Sequence, residues 1–435
     1  MKVLSGITNT AFAFLALTSF SSAQTARREA RLVEFDAPGA TTVWPQACDP
    51  YCGTAAVANN DLGEIVGSYT DGNIVPHGFL RSPNGEITSF DAPGAGLGNG
   101  LDQGTVAYAI NDLGEIAGQF QDSSYVFHGF VRYPNGSFAT FDEPDAGTEV
   151  NQPLNPVNPY PGTLALDINL RGATAGYYVD KSNAAHGFVR SPANQFTSFD
   201  PTGSVNTYVC GATCLSLDGA VVGYYWDSKL YQGFNVIHGF VRQANGTITS
   251  FDAPEPTTPT PFFTIATSIN PKGEITGYSA DSNFVVHGFV RHADGSFTTF
   301  NDPEAGTGTP EPYAQGTSSL SINLVGTTTG QYRDASDNGH GFERFPDGQF
   351  ANFDAPDAAL GSRFATLPQT NNAEGEVAGL YTDANNLDHG FLWIPGIPDR
   401  YAVNPRAPGQ SEGVSSAMEN RALIGGLGAP GSQPQ

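Results

Sequence analysis

Seven of the eight histidines in this 435-residue chain stand in the same tripeptide, His-Gly-Phe, at His77, His128, His186, His238, His287, His340 and His389. Six have an aspartate six residues earlier, at Asp71, Asp122, Asp180, Asp281, Asp334 and Asp383, and His238 has Asp227 eleven residues earlier. A carboxylate beside an imidazole can orient it for acid–base or nucleophilic catalysis. Seven near-identical copies argue against that, because catalysis needs one convergent set, and histidines spread through a repeat cannot meet on one metal. The expected role is a buried Asp–His hydrogen bond that ties a hairpin in every repeat. Arginine recurs four residues after six of the histidines, at Arg81, Arg132, Arg190, Arg242, Arg291 and Arg344. These are expected to pair with acidic residues or carbonyls.

Other chemistry is sparsely signalled. The cysteines occur as Cys48-Asp-Pro-Tyr-Cys52 and Cys210-Gly-Ala-Thr-Cys214. Each pair can close a small disulfide loop, and a four-thiolate zinc site joining the segments is the competing arrangement. Asp334-Ala-Ser-Asp337-Asn-Gly339 is a weak calcium candidate that a polar hairpin explains equally well. There is no Gly-Lys-Ser/Thr phosphate loop and no His-Glu-x-x-His, so no cofactor or metal is expected. Asn135-Gly-Ser137 and Asn245-Gly-Thr247 fit glycosylation sequons but also suit turns that need Asn-Gly.

The histidines recur every 49 to 58 residues, and that period sets the elements that carry them. In the second repeat four β-rich runs are Val106–Ile110, Glu115–Phe120, Val126–Val131 and Ser137–Phe141, with turns at Asn111–Gly114 and Pro134–Gly136. Four short strands per repeat is the size of a propeller blade. Phenylalanine returns thirteen residues after the histidine, at Phe90, Phe141, Phe199, Phe251, Phe300 and Phe353, followed by aspartate except at Asn301. A two-residue Asn84-Gly85 turn would place Phe79 opposite Phe90 and Arg81 opposite Thr88. With Asp71 opposite His77, Tyr69 would complete an aromatic row. Phe35-Asp36 matches the end of a fourth strand but precedes every His-Gly-Phe, while the last repeat, at His389, lacks its own Phe-Asp. The fold class expected is all-β, a seven-bladed β-propeller of four-stranded blades in which the N-terminal strand completes the last blade.

With Ile-Asn-x-x-Gly-Glu-Ile-x-Gly, as in Ile110 to Gly118, followed by His-Gly-Phe, roughly residues 31 to 397 resemble extracellular repeat proteins named for a His-Ala-Phe (HAF) signature. The resemblance implies secretion and a repeat fold, with no catalytic residues to carry over. Glycine replaces the signature's alanine here, a small-for-small change expected to be harmless.

Composition agrees with a folded β protein: 52 glycines and 31 prolines disfavour long helices, while 29 Phe and 17 Tyr supply a core. With 43 acidic and 19 basic residues the net charge is −24, which excludes nucleic acid and anionic lipid as partners. Residues 1–23 read as a signal peptide, 24–397 as the propeller and 398–435 as a poorly ordered tail. A secreted, extracellular or periplasmic monomer, not embedded in a membrane, is expected.

Binding is expected where the repeat breaks. The fourth repeat has an enlarged loop with Tyr231 and Phe234 beside Trp226, and just upstream Tyr208 precedes the Cys210–Cys214 pair, so an aromatic loop is expected beside a disulfide-braced one. Long connections after fourth strands carry Tyr160, Phe262, Phe263, Glu304, Glu311 and Tyr313. These are the candidate ligand-binding residues, for a glycan or an extracellular protein; a lid packed on its own repeat is the bland alternative. A hydrolase or lyase would need two carboxylates to converge from among Glu143, Glu149, Glu255, Glu304 and Glu311. A structural envelope protein is the third reading.

Overall fold

A computed structural model describes residues 30–43, 52–98, 103–150, 160–211, 213–231, 234–254, 263–308, 315–362 and 364–396. The expected signal peptide and tail, Cys48, Glu255, Phe262, Glu311 and Tyr313 lie outside the described residues, as do the side chains of Tyr231 and Phe234. The chain is all-β, with no helix among the described residues.

Among the described residues the strands form seven antiparallel units of four. In unit two they are Gly104–Ile110, Ile116–Gln121, Phe127–Arg132 and Phe138–Phe141, close to the runs read from the sequence. Unit seven takes Thr366–Asn371, Val377–Thr382 and Asp388–Ile394 from the C-terminal part, and its fourth strand is Arg31–Phe35, paired from Arg31↔Ile394 to Phe35↔Gly390.

Turn chemistry corrects the expected register. Ser82 N–H donates to Glu86 O and Gly85 N–H to Ser82 O, both at 2.8 Å, with Gly85 at φ 92°. This is a three-residue loop closed by a left-handed glycine, one residue longer than the turn assumed. Arg81 therefore pairs with Ile87, and Gly78 rather than Phe79 faces Phe90. The preceding hairpin has the same form, so Tyr69 faces His77 instead of Phe79. The three-ring row does not form within a unit.

The rings pack between units instead. All seven phenylalanines of the tripeptides are fully buried. Phe90 meets Phe130 edge-on at 6.3 Å, Phe199 meets Phe240 at 5.9 Å, and Phe35 meets Phe79 at 6.1 Å. Each fourth-strand ring also lies over the glycine of its own tripeptide. A Cβ added at Gly129 would come within 2.6 Å of the Phe141 ring, so alanine is not a harmless replacement in this chain.

Polar links join successive units. Asn60 Nδ2 donates to Asn111 O, Asn111 to Asn169 O, Asn169 to Ser216 O, Asn270 to Asn323 O, Asn323 to Asn372 O and Asn372 to Asn60 O, at 3.0–3.2 Å. Unit four has Ser216 in place of asparagine and so no side-chain amide to send to Asn270. Threonines that open first strands add a second set: Thr105 Oγ1 accepts from Ala92 N–H at 3.0 Å, and Thr54 Oγ1 from Ala37 N–H at 2.9 Å.

Candidate functional site

The histidines sit where third strands begin, on the side of the chain that also carries the hairpins between second and third strands. Their hydrogen-bond partner is not the aspartate expected. His77 Nδ1 donates to Asp91 at 2.8 Å, His128 to Asp142 at 2.8 Å, His186 to Asp200 at 2.7 Å and His238 to Asp252 at 2.7 Å. His340 uses Asp354, His389 uses Asp36, and His287 uses Asn301. The earlier aspartates lie 3.6–3.8 Å from Nε2, at ion-pair distance. Their oxygens cap the hairpin: Asp122 Oδ1 accepts Ser124 N–H at 2.8 Å and Val126 N–H at 3.0 Å. The hairpin needs that clamp, because its left-handed residue is not glycine but Ile74, Tyr125, Asn183, Phe284, Asp337 or Asn386. His287 is buried, and the other six rings are partly exposed rather than buried, with side-chain exposures of 15–26%. Most stack on an aromatic of the second strand, as His128 does on Phe120 at 4.9 Å. The hydrogen bond to Asp142, reinforced by its charge, raises the His128 pKa against the effect of burial; His186, His238 and His389 shift likewise toward Asp200, Asp252 and Asp36. The set, Asp–His–Asp in six units and Asp281–His287–Asn301 in the other, joins three strand ends and is part of the scaffold.

The arginines are likewise structural, through a different contact. Each guanidinium lies over the fourth-strand phenylalanine of the preceding unit: Arg132 over Phe90 at 4.8 Å, Arg190 over Phe141 at 4.1 Å, Arg81 over Phe35 at 4.8 Å. Arg242, Arg291 and Arg344 do the same with Phe199, Phe251 and Phe300. This cation–π contact, which was not expected, adds to polar partners: Arg242 donates to Gln243 O at 3.4 Å, as expected, and Arg190 Nε to Asn194 Oδ1 at 2.7 Å. In unit seven Trp393 takes the arginine's place and stacks on Phe353 at 4.5 Å.

The repeat breaks differently around unit four. The residue after the second-strand glycine faces the tripeptide glycine in every unit, and reads Ser68, Gln119, Tyr177, Tyr224, Tyr278, Gln331 and Leu380. Its cross-strand partner on the first strand is aliphatic or small everywhere except unit four, where it is Tyr208. Tyr208 lies 5.2 Å from Tyr177, 5.3 Å from Tyr224 and 5.6 Å from Trp226. All four remain partly exposed. Burial pushes Tyr208 up to about 12, and burial with neighbouring phenols lifts Tyr177 and Tyr224 well above the usual range. The phenols therefore stay neutral and able to donate. Such a surface can stack on a ring with an apolar face while hydrogen-bonding at its edge.

Of the other candidates, Phe263 joins this set through Tyr278, edge-on at 6.0 Å. Tyr160 packs elsewhere, on Tyr125 at 6.1 Å and Phe127 at 5.9 Å. Tyr231 pairs with Phe234 at the end of the long hairpin of Val221–Tyr231 and Phe234–Arg242. Cys210 and Cys214 form a disulfide, which displaces the zinc alternative, and Cys52 is also disulfide-bonded. The Cys210–Cys214 loop does not lie beside the aromatic hairpin: it leads into the opposite end of the same second strand, with Cys210 and Cys214 buried and Asp167 accepting Cys214 and Leu215 N–H at 2.7 and 2.8 Å. The Asp334 loop is a capped hairpin like its counterparts, with Asp334 Oδ1 accepting Ser336 and Asn338 N–H at 2.8 Å. No group of three or more metal-ligating side chains occurs among the described residues.

The carboxylates of the enzymatic reading are engaged separately. Buried Glu143 accepts Ser198 Oγ–H at 2.5 Å and Asp145 N–H at 2.7 Å, whereas Glu304 accepts the Tyr332 hydroxyl at 2.9 Å; Glu149 is exposed. Sequence reasoning missed Tyr177, Tyr224, Tyr278 and Gln119, and the partner aspartates after the fourth strands. The signal for the aspartates was their spacing from the histidines, and for the tyrosines it was one repeat column read unit by unit.

No family model matches the chain, and no curated protein matches it. Among solved structures it is similar to the BP39L lectin from Burkholderia pseudomallei at 9% identity and TM-score 0.45, covering 78% of this chain and 97% of that one. A fungal lectin from Aleuria aurantia, described as a six-bladed β-propeller with a novel fucose recognition mode, has 13% identity and TM-score 0.39 over 80% of this chain and 97% of that one. AofleA from Arthrobotrys oligospora has 10% identity and TM-score 0.36 over 85% and 94%.

Proposed function

We propose that this chain is a secreted seven-bladed β-propeller, closed by its N-terminal strand, that acts as a binding module for a carbohydrate or a glycan-bearing surface. Closure is supported by the Arg31–Phe35 pairing, the Phe35–Phe79 contact and the Asn372-to-Asn60 hydrogen bond. Secretion is supported by the signal-like N-terminus and the paired cysteines. The repeat motif supports a likeness to the His-Ala-Phe type of extracellular repeat protein.

The observation that carries the binding reading is Tyr208, the single aromatic at its first-strand position, grouped with Tyr177, Tyr224 and Trp226. A scaffold position repeated seven times has no packing reason to become aromatic in one unit and to recruit partly exposed tyrosines from its neighbours. A glycan array probed with the mature chain, followed by a reducing-end assay on each hit, tests this. Binding without turnover is expected. Turnover supports the hydrolase reading, and a silent array the envelope reading.

A further inference from the structure

We infer that the Tyr208 site is completed by Gln119 of unit two and by the Trp226 indole, and that it selects an uncharged, hydroxyl-bearing ring over charged ones. This rests on the binding reading above. Gln119 is only 7% exposed; its Nε2 donates to the Tyr108 hydroxyl at 3.1 Å, while its Oε1 is buried with no hydrogen-bond partner. It occupies the same column as Tyr177, Tyr224 and Tyr278, one unit before them. The glutamine on the far side of that column, Gln331, is used differently: its amide donates to the backbone carbonyls of Phe364 and Thr366. Gln331 is therefore scaffold, whereas Gln119 keeps an acceptor unspent at the end of the tyrosine arc. Trp226, at the other end, has a buried Nε1–H that also lacks a partner.

A buried donor or acceptor left unmade is costly, on the order of 1–3 kcal/mol, so a molecule supplying the complement gains both affinity and selectivity. One acceptor, one indole donor and neutral phenols around stacked rings match a pyranose, which offers hydroxyls at its edge and C–H bonds on its face. An anionic ring meets neutral phenols and an amide here and approaches a protein of net charge −24. A cationic ring is attracted at long range but cannot lose its hydration against neutral phenols and an amide without penalty.

Titration calorimetry at pH 7 with a neutral pyranoside taken from the array, its 6-carboxylate and its 2-amino counterpart tests the assignment on the mature chain. Affinity for the neutral sugar is expected to exceed that for both charged analogues by tenfold or more. Gln119→Leu is expected to weaken neutral-sugar binding by the folded protein about tenfold, as far as loss of one buried hydrogen bond allows, while the Tyr108 hydrogen bond lost and the unpaired Oε1 removed offset each other in stability. Gln331→Leu should change stability while leaving the affinity of the folded protein intact. Equal affinity for neutral and charged rings, or Gln119→Leu binding like wild type, overturns the inference and leaves the binding reading standing. Failure of every glycan to bind overturns both.

Discussion

At the level of single residues, the imidazoles show how a motif with catalytic composition becomes structural. Each histidine is fixed by a hydrogen bond on Nδ1, a carboxylate near Nε2 and, in most units, a stacked ring, so none has a face directed to a substrate. His128→Ala is expected to lower stability by about 1–2 kcal/mol, measured by urea unfolding, with ligand affinity unchanged; lost binding with unchanged unfolding would count against a scaffold role. In four of the seven sets the sequence displays both aspartates at constant spacing from the histidine, and the nearer one is the expected partner because it shares a hairpin with the histidine. The farther one wins because it emerges from the fourth strand beside the ring. Gln119 was illegible for another reason: its importance depends on what Gln331 bonds to, and pattern cannot give that.

At the level of strands and turns, one loop length decided the register. Asn84-Gly85 is a strong turn signal, but it is equally compatible with two- and three-residue loops, which differ by one position in everything downstream. Strand locations in unit two were legible to within a residue or two because alternation and turn residues mark them; side-chain pairing was not. The glycine of each tripeptide follows from the register seen, because a neighbouring ring covers it. Gly129→Ala is expected to destabilise by about 1–3 kcal/mol, as overpacking does. Phe141→Leu should cost less in the Gly129→Ala background than in wild type, and a double-mutant cycle with zero coupling would refute the contact.

For the whole molecule, buried ionisable groups predict a stability optimum on the acid side. Burial raises Glu343 to about 8, Asp167 to about 7 and Asp61 to about 7. An acid with a raised folded pKa stabilises when protonated, and that contribution fades as pH climbs from about 4 toward those values. His128, His186, His238 and His389 act in the same direction, their contributions being complete below about 6.5 and lost as pH rises through the elevated folded values. Asp71, Asp227, Asp334 and Asp383 oppose them: burial works to raise these, yet backbone N–H bonds hold them low, so their contribution is lost as pH falls below about 3.8. Urea midpoints between pH 3 and 9 should peak near about pH 5, and Glu343→Gln should flatten the decline above it; a maximum above pH 8 would contradict this. Removal of residues 31–36 leaves the Asp388–Ile394 strand without its edge partner and is expected to lower the melting temperature and promote self-association, both reversed by a synthetic peptide of that segment. The pairing of Arg31–Phe35 with Asp388–Ile394 also sets an order of events during synthesis. Arg31–Phe35 leaves the ribosome about 360 positions ahead of the strand it pairs with. Until that strand emerges it is a spare strand and the unit it finishes does not exist, so a prematurely terminated chain carries an unclaimed strand by which quality control can recognise it.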